Sequence, residues 1–229
     1  MNRPVHKAAD SARRRLVTRL AAAGALGAAG LSGFISRALA KGDLPPGIHQ
    51  VKGTATVNGR PAASGTPVTP RDRIATGPGS SAVLVVRDDA FLVRENTSFE
   101  MAETGGVLSR ILIQSGRVLS VFGKKPVVIK AANATIGIRG TGAYVEVDPG
   151  KVYFCLCYGE ADLDGPGMSA PKRIKTTHHE SPLVITDRGG VMAADPAAVV
   201  NHTDDELVML EALVGREPPF TPGAYPSLR

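Results

Sequence analysis

Tryptophan is absent from this 229-residue chain, and Phe and Tyr together bring the aromatic share to only 4%. A hydrophobic core therefore has to rest on aliphatic side chains, chiefly Val, Ile, Leu and Ala. Long apolar runs are equally scarce: after residue 40, no stretch approaches the roughly 18 residues that a membrane-spanning helix needs. Charge of one sign is missing from most of the chain. Residues 1–40 hold seven of the 27 Lys and Arg and one of the 21 Asp and Glu, which leaves 20 against 20 in the rest. Without a basic field beyond residue 40, the electrostatic footprint of a nucleic-acid binder is missing, and no nucleic-acid partner is expected. Catalytic signatures are missing too. There is no G-x-S-x-G elbow, no H-E-x-x-H and no P-loop spacing. Glu95, Glu100, Glu146 and Glu160 fall in strand-like segments with nothing to pair two of them as acid and base. The chain does not read as an enzyme.

What is present begins with an address. Ala12-Arg13-Arg14-Arg15-Leu16-Val17-Thr18 precedes a weakly apolar run, rich in Ala and Gly, from Leu20 to Ile35. That run closes on Ala38-Leu39-Ala40, a small-x-small cleavage pattern, just before Lys41. A basic start, a short apolar segment and such an end describe an export signal rather than a fold element. The pair Arg13-Arg14 resembles a twin-arginine leader, one of the receptor-read bacterial addresses, with cleavage expected after Ala40. The expected location is the periplasm, with membrane attachment only if the leader is retained. No Cys opens the mature chain, which argues against a lipoprotein. The chain divides into a leader (1–40), a β-domain (41–200), and a C-terminal helix with a Pro-rich tail (201–229).

From Ile48 onward, short apolar runs alternate with turns. Thr54-Ala55-Thr56-Val57 runs into Asn58-Gly59, both tolerant of positive φ, which predicts a hairpin. Ala82–Val86 and Ala90–Val93 flank Asp88-Asp89 as a second hairpin. Further strands are predicted at Val107–Ile113, Arg117–Phe122, Val127–Ala131, Ala143–Val147, Lys151–Tyr158, Lys172–Thr177 and Leu183–Thr186, with Asp148-Pro149-Gly150 as a turn. Strands at this spacing predict an all-β fold: a single compact antiparallel β-roll or sandwich-like domain. One short C-terminal helix completes it. Thr203 and Glu206 form a capping box, Leu207, Leu210, Leu213 and Val214 repeat at helical spacing, and Gly215 stops the helix.

Several segments together resemble the FecR-like periplasmic domain, named for a ferric-citrate signalling regulator. They are Gly53-Thr54-Ala55, Val57-Asn58-Gly59, Gly65-Thr66-Pro67-Val68, Asp72-Arg73-Ile74-Ala75-Thr76-Gly77 with Ser80-Ser81, and Ala134-Thr135-Ile136-Gly137-Ile138-Arg139-Gly140-Thr141. Arg71 stands where the family's turn has Gly. The resemblance covers about residues 48–163. It implies a non-catalytic envelope-signalling module with a periplasmic protein partner. The twelve residues ahead of the arginine run are too few for the family's sigma-factor-binding segment, so the periplasmic half of that role is what carries over.

Cys155-Leu156-Cys157 is the one unusual constellation. Its plain reading is two small buried hydrophobes in a core strand. Residues i and i+2 of a regular strand lie roughly 6.6 Å apart with parallel side chains, so a disulfide would need a bulge. Two thiols on one face suit a soft metal ion, Zn or Cu, with His178 and His179 as further candidate ligands. In an extended segment only one of these two histidines would face the cysteines. His49 and His202 read as surface residues. Gly137-Ile138-Arg139-Gly140-Thr141-Gly142 looks like a phosphate loop only superficially, since no helix follows it. Its glycines are expected to let a strand bend, with Arg139 buried and paired; Arg94-Glu95 and Arg117 read as charge pairs at strand ends. Three roles follow: an exported sensing or protein-interaction module, a periplasmic metal-binding protein, or polymer or ligand binding on an exposed β-face.

Overall fold

In the computed structural model, the described residues run from 44 to 221. The leader positions Arg13, Arg14, Ala38 and Ala40, and the tail from residue 222, lie outside them. Fourteen strands form one continuous, largely antiparallel sheet. In chain order they are β1 (Gly47–Lys52), β2 (Ala55–Val57), β3 (Arg60–Ala62), β4 (Arg73–Thr76), β5 (Ser81–Val86), β6 (Asp89–Val93) and β7 (Ser98–Thr104). Then come β8 (Val107–Val121), β9 (Pro126–Ala131), β10 (Ala134–Asp148), β11 (Lys151–Asp164), β12 (Lys172–Thr176), β13 (Leu183–Asp187) and β14 (Met192–Pro196). A single helix among the described residues, α1 (Asp204–Leu213), follows them. The all-β expectation, with one short helix, holds.

Turn chemistry sets the registers. Asn58 and Gly59 take φ of +52° and +76° and close the β2–β3 hairpin as the sequence requires. The second hairpin is displaced by one residue: Val86 faces Asp89, so Arg87-Asp88 makes the turn, with Arg87 at φ +54°. The reason is that Asp89 is needed inside, where its carboxylate accepts the Gly123 N–H at 3.1 Å and the Lys125 ammonium at 2.5 Å. Two predicted strands on either side of Gly116 are one, β8, which continues through Gly116 at φ +84°. β14 is an addition that sequence patterning did not anticipate, because Met192-Ala193-Ala194 has little strand character. β8 and β9 pair in parallel, the one such pairing among the described residues.

The inner face of the curled sheet holds one core, built around Phe91, Phe99, Phe122, Ile111, Ile129 and Phe154. The central strands are apolar on both faces, as the solid run Ala82–Val86 shows, so a second cover is required. Val83, Val85, Leu92, Leu119, Val121 and Tyr144 point the other way and pack against Leu207, Met209, Leu210 and Leu213 of α1. Thr203 caps that helix: its hydroxyl accepts the Glu206 N–H at 3.3 Å, and Glu206 accepts the Thr203 N–H at 3.0 Å. Arg94 reaches across from the sheet to Glu206 at 2.9 Å and to the Asn201 carbonyl at 2.7 Å, tying the helix start down. Its partner is therefore distant in sequence rather than the adjacent Glu95, and Arg117 likewise pairs with Glu146 at 3.6 Å.

Two tests follow from this fold. A Cβ at Gly116 would lie 2.4 Å from the Thr97 Cα, a backbone contact that cannot swing away. A Cβ at Gly59 would meet nothing within 4 Å. Gly59→Ala is expected to cost about 1 kcal/mol, the left-handed strain alone; Gly116→Ala should cost about 3 kcal/mol, as strain plus clash. Urea unfolding midpoints at unchanged slope measure both. Separately, burial pushes the Asp89 carboxyl up, against the opposing pull of Lys125 and the Gly123 N–H. Lys125→Met is expected to cost about 3–5 kcal/mol near neutral pH, because it leaves a buried carboxylate without its cation. An acid whose folded value is raised favours the fold below its ordinary value and loses that contribution as pH rises through the raised one. The penalty of Lys125→Met should therefore shrink as pH falls toward the carboxylate range. Denaturation of both proteins across acidic to neutral pH measures it.

Candidate functional site: a sealed thiol and imidazole cluster

Three segments converge behind the sheet. The first is β11, which carries Cys155 opposite Tyr144 of β10. Gly142 faces Tyr158 while the adjacent Ala143 faces Leu156, so Cys157 is the extra residue of a β-bulge. Gly142 is required there, since a Cβ would stand 2.5 Å from the Tyr158 ring. A bulge re-aims a side chain, and here both thiols end on the helix-side core, fully buried. The nearby Gly140, at φ +58°, bends β10 as expected, but Arg139 is exposed rather than buried, because it falls on the outward position of that bend.

The second segment is the turn after β12. Glu180 accepts the backbone N–H groups of Thr177 and His178 at 2.7 and 2.9 Å. Against its burial, the Thr177 hydroxyl, which donates to the same carboxylate, and then these bonds hold Glu180's carboxyl down at about 2. The chain then takes φ +59° at His179, whose N–H donates to the Cys157 carbonyl at 2.9 Å. An extended segment would have thrown the two rings to opposite faces. The turn instead keeps them together, with centroids 4.9 Å apart. Only His179 reaches the thiols: its Nδ1 is 3.4 Å from the Cys155 Sγ. His178 Nε2 bonds Asp204 Oδ1 at 2.8 Å, and its ring stacks on Phe220 at 4.3 Å.

The third segment is the strap before α1. His202 is buried, contrary to its reading as a surface residue, because its ring stacks on Tyr144 at 4.5 Å as the strap crosses the sheet. The strap is held by Asn201, which takes φ +58° and donates to Glu146 at 2.6 Å. Tyr144 donates to the same carboxylate at 2.6 Å. His202 Nε2 stands 3.1 Å from His179 Nδ1. Two of the chain's five histidines, His179 and His202, thus meet its two cysteines, with His178 beside them on Asp204. Sequence reasoning missed His202 and Asp204; the available signal was their position on either side of the cap residue Thr203, where the strap has to touch the sheet. His49 remains apart, bonding the Pro45 carbonyl at 2.8 Å.

The outer partners fix the tautomers. The Val200 carbonyl can only accept, so His202 Nδ1 carries hydrogen and donates at 2.7 Å. Asp204 Oδ1 likewise accepts from His179 Nε2 at 3.3 Å. In the neutral rings, the nitrogens that face each other are then both acceptors, with the two sulfurs beside them. The cluster needs something electron-poor at its centre: a proton supplied by one of the thiols, or a metal ion. Without a metal, charge separates. The hydrogen bond from Cys157, and after it the two imidazoles, hold Cys155 at about 4 against its burial. Burial and the Cys155 sulfur push Cys157 up. Burial works to lower His179, and Cys155 and Asp204 outweigh it, so the ring is pushed up.

No family model matches the chain. No curated protein matches it in sequence either. Among solved structures, two crystal structures of a "putative anti-sigma factor" from Parabacteroides distasonis ATCC 8503 are similar in part. They align at TM-scores of 0.45 and 0.44 with 11% and 12% identity. Each alignment covers 54% of this chain and 59% of the neighbour's own length. A likeness of that extent carries no argument about the site, which has to be read from its own geometry.

Geometry makes the two thiols inaccessible in the fold. Maleimide labelling of the native protein is expected to modify neither Cys155 nor Cys157, and labelling in denaturant with a chelator to modify both. A denatured, unreduced sample with no reactive thiol would instead mean a Cys155–Cys157 disulfide in a bulge that permits one.

Proposed function

We propose that this protein is an exported, periplasmic, FecR-like module that is not a catalyst and works by sensing or by contacting another protein in envelope signalling. The observation that carries this reading is the seal on its reactive groups. Among the described residues, the one thiol hydrogen-bonded to an imidazole is Cys155, on His179, and their exposures are 0% and 4%. A substrate would have to unfold the strap to touch them, whereas a recognition module needs only its outer surface. The chain order of the FecR-like segments agrees: they fall on the β2–β3 hairpin, on β4 with the turn after it, and on the bending half of β10. The regulatory role suggested by the name of the partly similar structures is of the same class. No helix among the described residues is long and apolar enough to cross a membrane.

Fractionation with crosslinking tests the proposal. The wild type is expected in the periplasm with the intact mass of residues 41–229, and Arg13→Lys/Arg14→Lys is expected to hold the chain in the cytoplasm. Crosslinking in the periplasm should capture one reproducible protein partner. Unchanged export of the double variant sinks the address, and repeated crosslinking without a specific partner sinks the interaction role.

A further inference from the structure

We propose that Cys155 Sγ, Cys157 Sγ, His179 Nδ1 and His202 Nε2 form a four-coordinate site for one Zn(II) ion. This goes beyond the interaction reading and stands or falls without it. Four observations carry it. The four donor atoms all lie within 4.8 Å of one another and all four residues are buried. The distances measured between donors, 3.1 Å for N to N and 3.4 Å for N to S, are close to the edges of a zinc tetrahedron. With Zn–N near 2.0–2.1 Å and Zn–S near 2.3 Å, those edges are about 3.3–3.8 Å. Both imidazoles give their outer N–H to fixed acceptors, Val200 O and Asp204 Oδ1, which aims the inner lone pairs at the thiols. That is the outer-shell arrangement that metal-bound histidines have. The fourth observation is the approach of His202 Nε2 to His179 Nδ1 at 3.1 Å, which turns toward one point the ring nitrogens that the outer bonds leave without hydrogen.

Charge selects the ion. Two thiolates and Zn(II) sum to zero, so the buried centre carries no net charge of its own. Cu(I) in the same ligands leaves one uncompensated negative charge away from water, a costly burial. The remaining carboxylate, Asp204, sits in the first turn of α1, where the helix's positive end offsets it. All four positions are filled by protein, which makes the ion a structural one that clasps strap, turn and strand together rather than a catalytic centre with an open position. His178 lies outside the set: its ring bonds Asp204 and orients the carboxylate that in turn orients His179. It is a positioning residue.

The test uses the full exported chain, purified from periplasm without a metal-affinity tag or chelator. Native mass spectrometry and elemental analysis should find about one Zn per chain. Cys155→Ser and His202→Ala should each lose it, and His178→Ala should keep it. Asp204→Asn should weaken Zn binding by about 10–100-fold in competition with a chromophoric chelator. Cobalt replacing zinc should show thiolate-to-metal charge transfer and intense tetrahedral visible bands, both lost in the cysteine variant. Because a ligand variant could fail to fold, the wild type is also stripped, checked for strand content by circular dichroism, and titrated with Zn alone. Folded wild type that takes up no Zn overturns the proposal. So do retention of Zn in Cys155→Ser/Cys157→Ser, copper in place of zinc, and a native mass 2 Da short that reports a disulfide.

Discussion

A sheet that is apolar on both faces has to be covered twice, and the rest of this structure follows from that requirement. The inner face is covered by the sheet itself, which curls until strands far apart in order share one core. The outer face of β5, β6, β8, β10 and β11 has no such partner and takes α1, whose residues from Leu207 to Leu213 are all buried. A helix bound that closely must be led to its place by an ordered strap. The strap is what brings His202 over Tyr144 and completes the cluster of thiols and imidazoles.

The polar groups under this cover are paired in a way that matches their burial. Arg94 spans the gap to Glu206 and Asn201, Asn201 and Tyr144 share Glu146, and Tyr158 donates to Glu211, which also holds Arg216. Burial and the neighbouring carboxylates push the two phenols well up, so both remain hydrogen donors. The bonds from Arg94 to Glu206 and Asn201, from Asn201 to Glu146 and from Tyr158 to Glu211 join the β-domain to the segment after residue 200. They turn a hydrophobic contact, which sets no direction, into one orientation of the helix on the sheet.

Most of the fold was legible in the sequence because its signals are local. Asn58-Gly59 and Asp148-Pro149-Gly150 specify turns by their own dihedral preferences, and Thr203 with Glu206 specifies a helix start. Where a non-local demand competed, the local signal shifted. The burial of Asp89 moved a turn by one residue, and Gly116 carried a strand through a position where composition suggested a break. The cluster was legible only in part. Cys155, Cys157 and His179 are unusual residues close together in the chain, and patterning brought them forward. His202 is alone in sequence, and its role depends on where the strap crosses the sheet. Gly142, whose missing side chain admits Tyr158 and so sets the bulge at Cys157, gives no sign of this in its immediate neighbours.

The order of synthesis gives the helical cover a further meaning. Every strand beneath α1 leaves the ribosome before the helix does, so an apolar sheet face is made first and has nothing to lie against while translation continues. The bonds that seat α1 span more than a hundred residues, as from Arg94 to Glu206 and from Asp88 to Arg216. Such contacts form late, after the loop between them has been closed. During that interval the nascent chain carries an exposed hydrophobic surface of the kind that chaperones bind.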